Sequence, residues 1–214
     1  MSLVLFGLQR SVYTRIARLA LEEKAVPYEL REVEIFGTGG VPSEHWARHP
    51  FGRIPVLEHD GFLLHETGAI TRYVDERFEG VALQPADPAR RARMNQAIGV
   101  LDSYAYRPMV WGVFVQRVRL PLQGKPSDEL EIQKSLIAAE PTMKFLEDLL
   151  KSDPFLAGGT LSLADLHAFP MLRYLALAPE GRELLRGYAS ALRWFEMMRS
   201  RPSVLATTSQ YERE

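Results

Sequence analysis

The chain has 214 residues, 46% of them hydrophobic and 25% charged, ordinary globular usage with room for one large domain or two small ones. That excludes a disordered or fibrous protein, and no stretch approaches the ~20 apolar residues of a membrane helix. Lys and Arg number 26 against 27 Asp and Glu, a net charge of −1 that gives nucleic acid or anionic lipid no electrostatic hold. Cys is absent, so the chain has no disulfide, thiolate metal site or Cys nucleophile, and thiol chemistry has to come from a bound ligand.

The opening run is too short, and lacks the basic lead-in, for a signal peptide. Leu3–Phe6, ended by Gly7, reads instead as a strand buried on both faces. Ser11 precedes Val12, Ile16, Leu19 and Ala20, an apolar stripe at helical spacing that ends at Ala25-Val26-Pro27. Glu32-Val33-Glu34-Ile35 alternates with period two and is expected to be the second strand, parallel to the first through a right-handed crossover. Residues 36–50 should be loop, with one helical turn starting at Ser43. Two apolar runs across Asp60-Gly61 predict a hairpin, and a helix follows from about Glu66 with Ala69, Ile70, Tyr73, Val74 and Phe78 on one face.

Gly80–Pro88 reads as a linker, with Asp87 and Pro88 supplying an N-cap and first helical residue. Beyond it the pattern is helical. Met94, Ala97, Ile98, Leu101 and Ala105 form one stripe; Ile132, Leu136, Ala139, Met143, Leu146 and Leu149 form another. Residues 163–177 are apolar nearly all round, as in a central buried helix. Pro108, Pro141 and Pro170 predict kinks or breaks. The expected organisation is an α/β domain over 1–79, a linker over 80–88 and an all-helical domain over 89–214.

Three local features carry chemistry. Ile54-Pro55 opens a strand, where a proline costs no ladder bond; a cis bond there would leave the preceding backbone groups free for a ligand, and a trans proline on an edge strand is the plainer alternative. Glu66-Thr67-Gly68 sits at a strand-to-helix junction, where first-turn amides favour an anion. That spot suits an amino-acid backbone, with carboxylate on the amides and ammonium near Glu66, although helix capping alone also explains it. Ser11 is an ordinary N-cap position, and its hydroxyl there could also stabilise a ligand thiolate. His45, His49, His59 and His65 lack the spacing and third carboxylate of a metal site and read as surface histidines.

Together these features resemble the glutathione transferase family over nearly the whole chain. His49-Pro50-Phe51-Gly52-Arg53-Ile54-Pro55-Val56-Leu57 is similar to the family's Asn-Pro-Phe-Gly-Gln-Val-Pro-Ala-Leu, and Glu66-Thr67-Gly68-Ala69-Ile70 to its Glu-Ser-x-Ala-Ile. Leu156–Asp165 resembles its buried capping-box segment, in which Ser162 and Asp165 satisfy each other's amides, a structural role. The serine-type, phi-like members with bacterial relatives are the nearest in pattern, because Phe6-Gly7-Leu8 stands where tyrosine-type members keep their tyrosine.

The resemblance implies a thioredoxin-like N-terminal domain and a cytoplasmic homodimer without metal, nucleic-acid or membrane partners. It makes glutathione the co-substrate, bound along Arg53, Ile54, Glu66 and Thr67, with Ser11 stabilising the thiolate and Tyr13 the runner-up. It also implies an apolar electrophile pocket between the domains, with Leu8, Trp111, Phe114 and Val115 as candidate walls. Gly40-Val41 replaces a His-Lys pair that holds the glycine end of glutathione, leaving Arg53, His45 or Arg48 to substitute. Alternatives are a non-catalytic interaction module of the same fold, or a peroxidase, dehalogenase or isomerase using the same site.

Overall fold

The structure is a computed structural model that describes residues 2–212. Residues 2–83 with 202–212 form one compact unit, and residues 84–201 another. The sequence placed all of 89–214 in the helical domain, but the described end of the chain returns to the sheet unit.

The sheet unit is built from β1 (Leu3–Gly7), α1 (Val12–Glu23), β2 (Glu29–Glu32), α2 (Ser43–Trp46), β3 (Val56–His59), β4 (Phe62–His65) and α3 (Thr67–Arg77). The strand order is β2-β1-β3-β4, with β1–β2 parallel and the other pairs antiparallel. β1 is buried at every residue, as its apolar run requires. β2 lies three residues earlier than the Glu/Val alternation suggested. It is an edge strand with largely exposed side chains, so side-chain pattern says little about it; Val4 pairs Glu29, and only the Val33 amide extends the ladder, to the Gly7 carbonyl. The hairpin turns at Asp60 and Gly61, both at positive φ, as a two-residue turn between strands requires. On α3, Ile70 and Val74 are buried as expected, but Ala69 is exposed and Thr71 takes its place inward.

Within this unit α1 is tied at its end to α3 and the segment after it, and along its length to the returning tail. Lys24 donates to the Asp75 carboxylate at 3.2 Å and to the Val81 carbonyl at 3.1 Å. Buried Arg15 on α1 reaches three points of the returning tail: Val204 O at 3.3 Å, Thr207 Oγ1 at 3.4 Å and Glu212 at 2.5 Å.

The other unit opens with α4 (Pro88–Val100), capped by Asp87 on the Arg90 amide at 2.8 Å. The helix winds wider, in the π manner, over Leu101–Arg119, and ends in α5 (Leu120–Leu122). Pro108 lies within that wider stretch, where its missing N–H leaves the usual ladder incomplete. Then come α6 (Glu129–Leu150), α7 (Leu163–Leu175), α8 (Pro179–Arg186) and α9 (Ala189–Arg199); α10 (Pro202–Ala206) belongs to the tail. Both predicted stripes face inward, and α7 is buried all round except at Arg173. Pro141 and Pro170 do not break α6 or α7: each helix continues through its proline. No helix among the described residues is long and apolar enough to cross a membrane.

Candidate functional site

The strand register brings the singled-out residues of the sheet unit to one edge. Phe6 pairs Val56, and Val56 pairs His65, so the end of β1, the start of β3 and the end of β4 lie side by side. Just beyond them come Ser11, Ile54-Pro55 and Glu66-Thr67. The helices α1 and α3 both begin there, so two sets of first-turn amides and two positive dipole ends face the same edge. Their placement follows from topology rather than from any one residue.

Ser11 is the half-buried N-cap of α1, and its Oγ accepts from the Thr14 amide at a long 3.3 Å. A hydroxyl that accepts from an amide keeps its own proton to donate, as stabilising an anion requires. Tyr13 lies two residues further along α1, half-buried. Glu66, the residue before α3, is exposed at φ 69°, a left-handed conformation that costs a non-glycine residue energy. Its carbonyl takes the Ala69 and Ile70 amides at 2.9 Å, while the Thr67 and Gly68 amides have no partner among the described residues. Thr67 is 7% exposed. This is an open anion seat with a carboxylate beside it.

The Ile54-Pro55 bond is cis. Ile54 packs in an apolar cluster with Val4, Phe6, Leu8, Val33 and Val56. Arg53 keeps its side chain exposed while its carbonyl meets His45 Nε2 at 2.7 Å. Of the three candidates for a glycine-end cation, His45 is therefore engaged and Arg48 lies over the Phe6 ring at 4.4 Å. Of the three, only the Arg53 side chain has no hydrogen bond, ion pair or ring contact among the described residues.

Sequence reasoning left His49 and His65 among surface histidines. Their rings stand 4.6 Å apart at this same edge, and His49 is buried. Burial holds His49 below its ordinary pKa, reinforced by His65, His45 and Arg53, with Glu66 pulling the other way. The register pair Val56–His65 brings these rings together, and nothing local in the sequence announces it. Among the described residues no group of three or more His, Asp or Glu is placed to hold a metal.

In the helical unit, Trp111 is 37% exposed, whereas Phe114 is 2% exposed and stacks on Tyr174 with centroids 4.2 Å apart. Val115 is buried, as is Leu8 in the sheet unit. At the start of α7 the capping box forms. Asp165 accepts from the Ser162 amide at 2.9 Å and hydroxyl at 2.7 Å, and also from the Leu156 amide at 2.9 Å and Trp194 Nε1 at 2.8 Å.

Comparison with known proteins points the same way. The family models for the glutathione S-transferase N-terminal domain and C-terminal domain match residues 5–82 and 129–196. The chain is 32% identical over 196 residues to glutathione S-transferase F14 of Arabidopsis thaliana, covering 89% of this chain and 77% of that one. It resembles the crystal structure of glutathione transferase F7 from Populus trichocarpa at 29% identity and TM-score 0.85, covering 96% and 97% of the two chains. It is equally similar in fold, at 26% identity and TM-score 0.85, to glutathione S-transferase I from maize in complex with an atrazine glutathione conjugate, covering 97% and 96%.

Proposed function

The chain belongs to the glutathione S-transferase family, and from that premise we propose how its residues perform glutathione conjugation. The observation that carries the assignment is the shared edge at which α1 and α3 both begin, with Ser11 at one helix start and Thr67 at the other. The γ-glutamyl carboxylate of glutathione takes the open Thr67 and Gly68 amides, and Glu66 takes the ammonium. The Ile54 backbone holds the cysteinyl residue, and exposed Arg53 takes the glycyl carboxylate in place of the missing His-Lys pair.

The thiol gives up its proton to water, and Ser11 donates a hydrogen bond to the thiolate that remains. A hydrogen bond to the charged form and the positive end of α1 both lower the thiol pKa, which raises the fraction of nucleophile at neutral pH. The thiolate sulfur bonds to an electrophilic carbon, and the leaving group departs with the displaced electron pair. We assign the acceptor to the apolar side chains singled out by the sequence: half-exposed Trp111 as its aromatic surface, and Phe114, Val115 and Leu8 as its further walls. Few polar groups accompany them, so flat or apolar acceptors are favoured; the maize relative holds an atrazine conjugate. We take the working form to be a cytoplasmic homodimer.

The test is ultraviolet titration of bound thiolate in wild type and Ser11→Ala, with a panel of aryl halides, epoxides, hydroperoxides and maleyl compounds. Ser11→Ala should raise the pH at which thiolate appears, at ~1.4 kcal/mol per pKa unit, with glutathione affinity nearly unchanged. Superimposed titration curves would leave Ser11 as a helix cap alone. Turnover confined to hydroperoxides would make the enzyme a peroxidase instead.

A further inference from the structure

His45 is fully buried, although it sits in a helix of only four residues, α2, that has no side-chain cap. A carbonyl oxygen can only accept, so the 2.7 Å contact to Arg53 O puts the imidazole proton on Nε2. Nδ1 is buried with no partner among the described residues. An imidazole kept in the interior for a single hydrogen bond invites the question of what that bond holds.

It closes a loop. The backbone leaves α2 with the Arg48 and His49 amides on the His45 carbonyl, at 3.0 Å and 2.9 Å. The Gly52 amide returns to the His49 carbonyl at 2.9 Å, and the Phe51 amide meets His49 Nδ1 at 3.3 Å. Gly52 has φ +60°, and a Cβ there would lie 2.8 Å from the Trp46 ring, so the chain passes under the tryptophan only as glycine. The one side-chain bond from α2 to the far end of this excursion is His45 to Arg53.

The Arg53–Ile54 peptide is planar and trans, so its C=O and N–H point in opposite directions. Fixing the Arg53 carbonyl on His45 therefore fixes where the Ile54 N–H points. Ile54 N–H has no partner among the described residues, and it lies at the edge where Ser11 and Thr67 converge.

We propose that His45 is a positioning residue for glutathione: its Nε2–H holds the Arg53 carbonyl so that the Ile54 N–H is aimed at the cysteinyl part of the ligand. This rests on the assignment of that edge as the glutathione site. His45 touches no ligand atom, so its loss affects glutathione binding and leaves the chemistry alone.

The experiment compares wild type, His45→Phe, which keeps a ring and loses the donor, and His45→Gln, whose amide N–H reaches about where Nε2–H does. Glutathione affinity by calorimetry, KM and kcat, melting temperature, and hydrogen exchange of the peptide covering 46–54 are measured for each. His45→Phe is expected to weaken glutathione roughly five- to tenfold, about the value of one net hydrogen bond. Its kcat at saturating glutathione should stay within about twofold, with faster exchange at 53–54, and His45→Gln should recover most of both. Equal impairment of the two variants would show that ring packing matters and the donor does not. His45→Phe binding glutathione like wild type would overturn the proposal outright. A wild type that does not bind glutathione is a different failure, because it removes the site assignment itself.

Discussion

At the start of α7, buried Asp165 collects four donors from three parts of the helical unit. At the start of α3, Glu66 is held exposed in a left-handed conformation, its side chain caps nothing, and two amides are left over. Both are helix starts at strand or loop ends, and both carry an acid next to a hydroxyl residue. The first turns its acid inward to tie three segments together. The second keeps its acid outward and carries backbone strain, as fits a helix start that meets something outside the chain.

That contrast is broken most forcefully at Asp165. Asp165→Ala strands the Leu156 amide, the Ser162 amide and the Trp194 Nε1–H in the interior, at about 1–3 kcal/mol for each buried unpaired group. Urea unfolding should show a loss of roughly 3–5 kcal/mol. Asp165→Asn should recover part of the loss, because its Oδ1 keeps the Leu156 amide and Trp194 Nε1–H while its amide nitrogen meets the Ser162 amide. Burial pushes the Asp165 carboxyl up while the four donors pull it down, so the carboxylate depends on all of them. A loss under about 1 kcal/mol would mean the box is incidental.

The tail gives the next effect. Arg15 and Glu212 are buried together, at side-chain exposures of 1% and 5%, one turn along α1 from Ser11. Glu212→Gln removes the charge from one member of this buried pair, a change that typically costs about 3 kcal/mol or more. Thermal unfolding checks this, and an unchanged melting temperature would show the tail to be dispensable for α1.

Thr67→Ala turns the comparison around. It should cost the free protein less than about 0.5 kcal/mol, since Thr67 caps nothing, yet lose the hydroxyl that reaches the same ligand carboxylate as its amide and so weaken glutathione by roughly 1–3 kcal/mol. Calorimetric titration beside a denaturation curve separates the two. If Thr67→Ala unfolded the protein and spared the ligand, the α3 start would be structural like that of α7.

The two helix starts also differed in how plainly the sequence showed them. Ser162 and Asp165 lie three apart before an apolar run, a local signature that needs nothing distant, although Trp194 and Leu156 completing the set were not visible. Ser11, Ile54 and Thr67 could each be named, with capping an equally good local account of two of them. What brings them together is the register of β1, β3 and β4, which is non-local. β2 was misplaced for a related reason: on an exposed edge, packing imposes no alternation, and the crossover length decides where the strand pairs. The prolines of α6 and α7 do not break their helices, because propensity rules describe isolated helices, whereas these two pack on neighbours along their length. His45 could be named only as a candidate for the glycine end of glutathione; its bond to the Arg53 carbonyl carried no signal, since only the folded loop brings the two together.

The smallest effect concerns His49, which stands beside the open start of α3. Its folded pKa is depressed, mainly by burial and next by His65, so the unfolded chain takes up the proton first. The sign follows: His49 contributes stability above the unfolded value of about 6.5, and that contribution is lost as pH falls through it toward the lower folded value. His49→Asn keeps an acceptor for the Phe51 amide but cannot titrate. Between pH 8 and 5 the melting temperature of wild type should therefore fall more steeply than that of His49→Asn. Glutathione sharpens the test, because a ligand carboxylate seated on the Thr67 and Gly68 amides brings negative charge next to this histidine pair. That charge raises the His49 pKa back toward its unfolded value, so saturating ligand should flatten the wild-type slope and leave the His49→Asn slope as it was. Parallel curves for the two proteins without ligand would remove His49 from the acid response, and a wild-type slope unmoved by glutathione would place the ligand's carboxylate away from the start of α3.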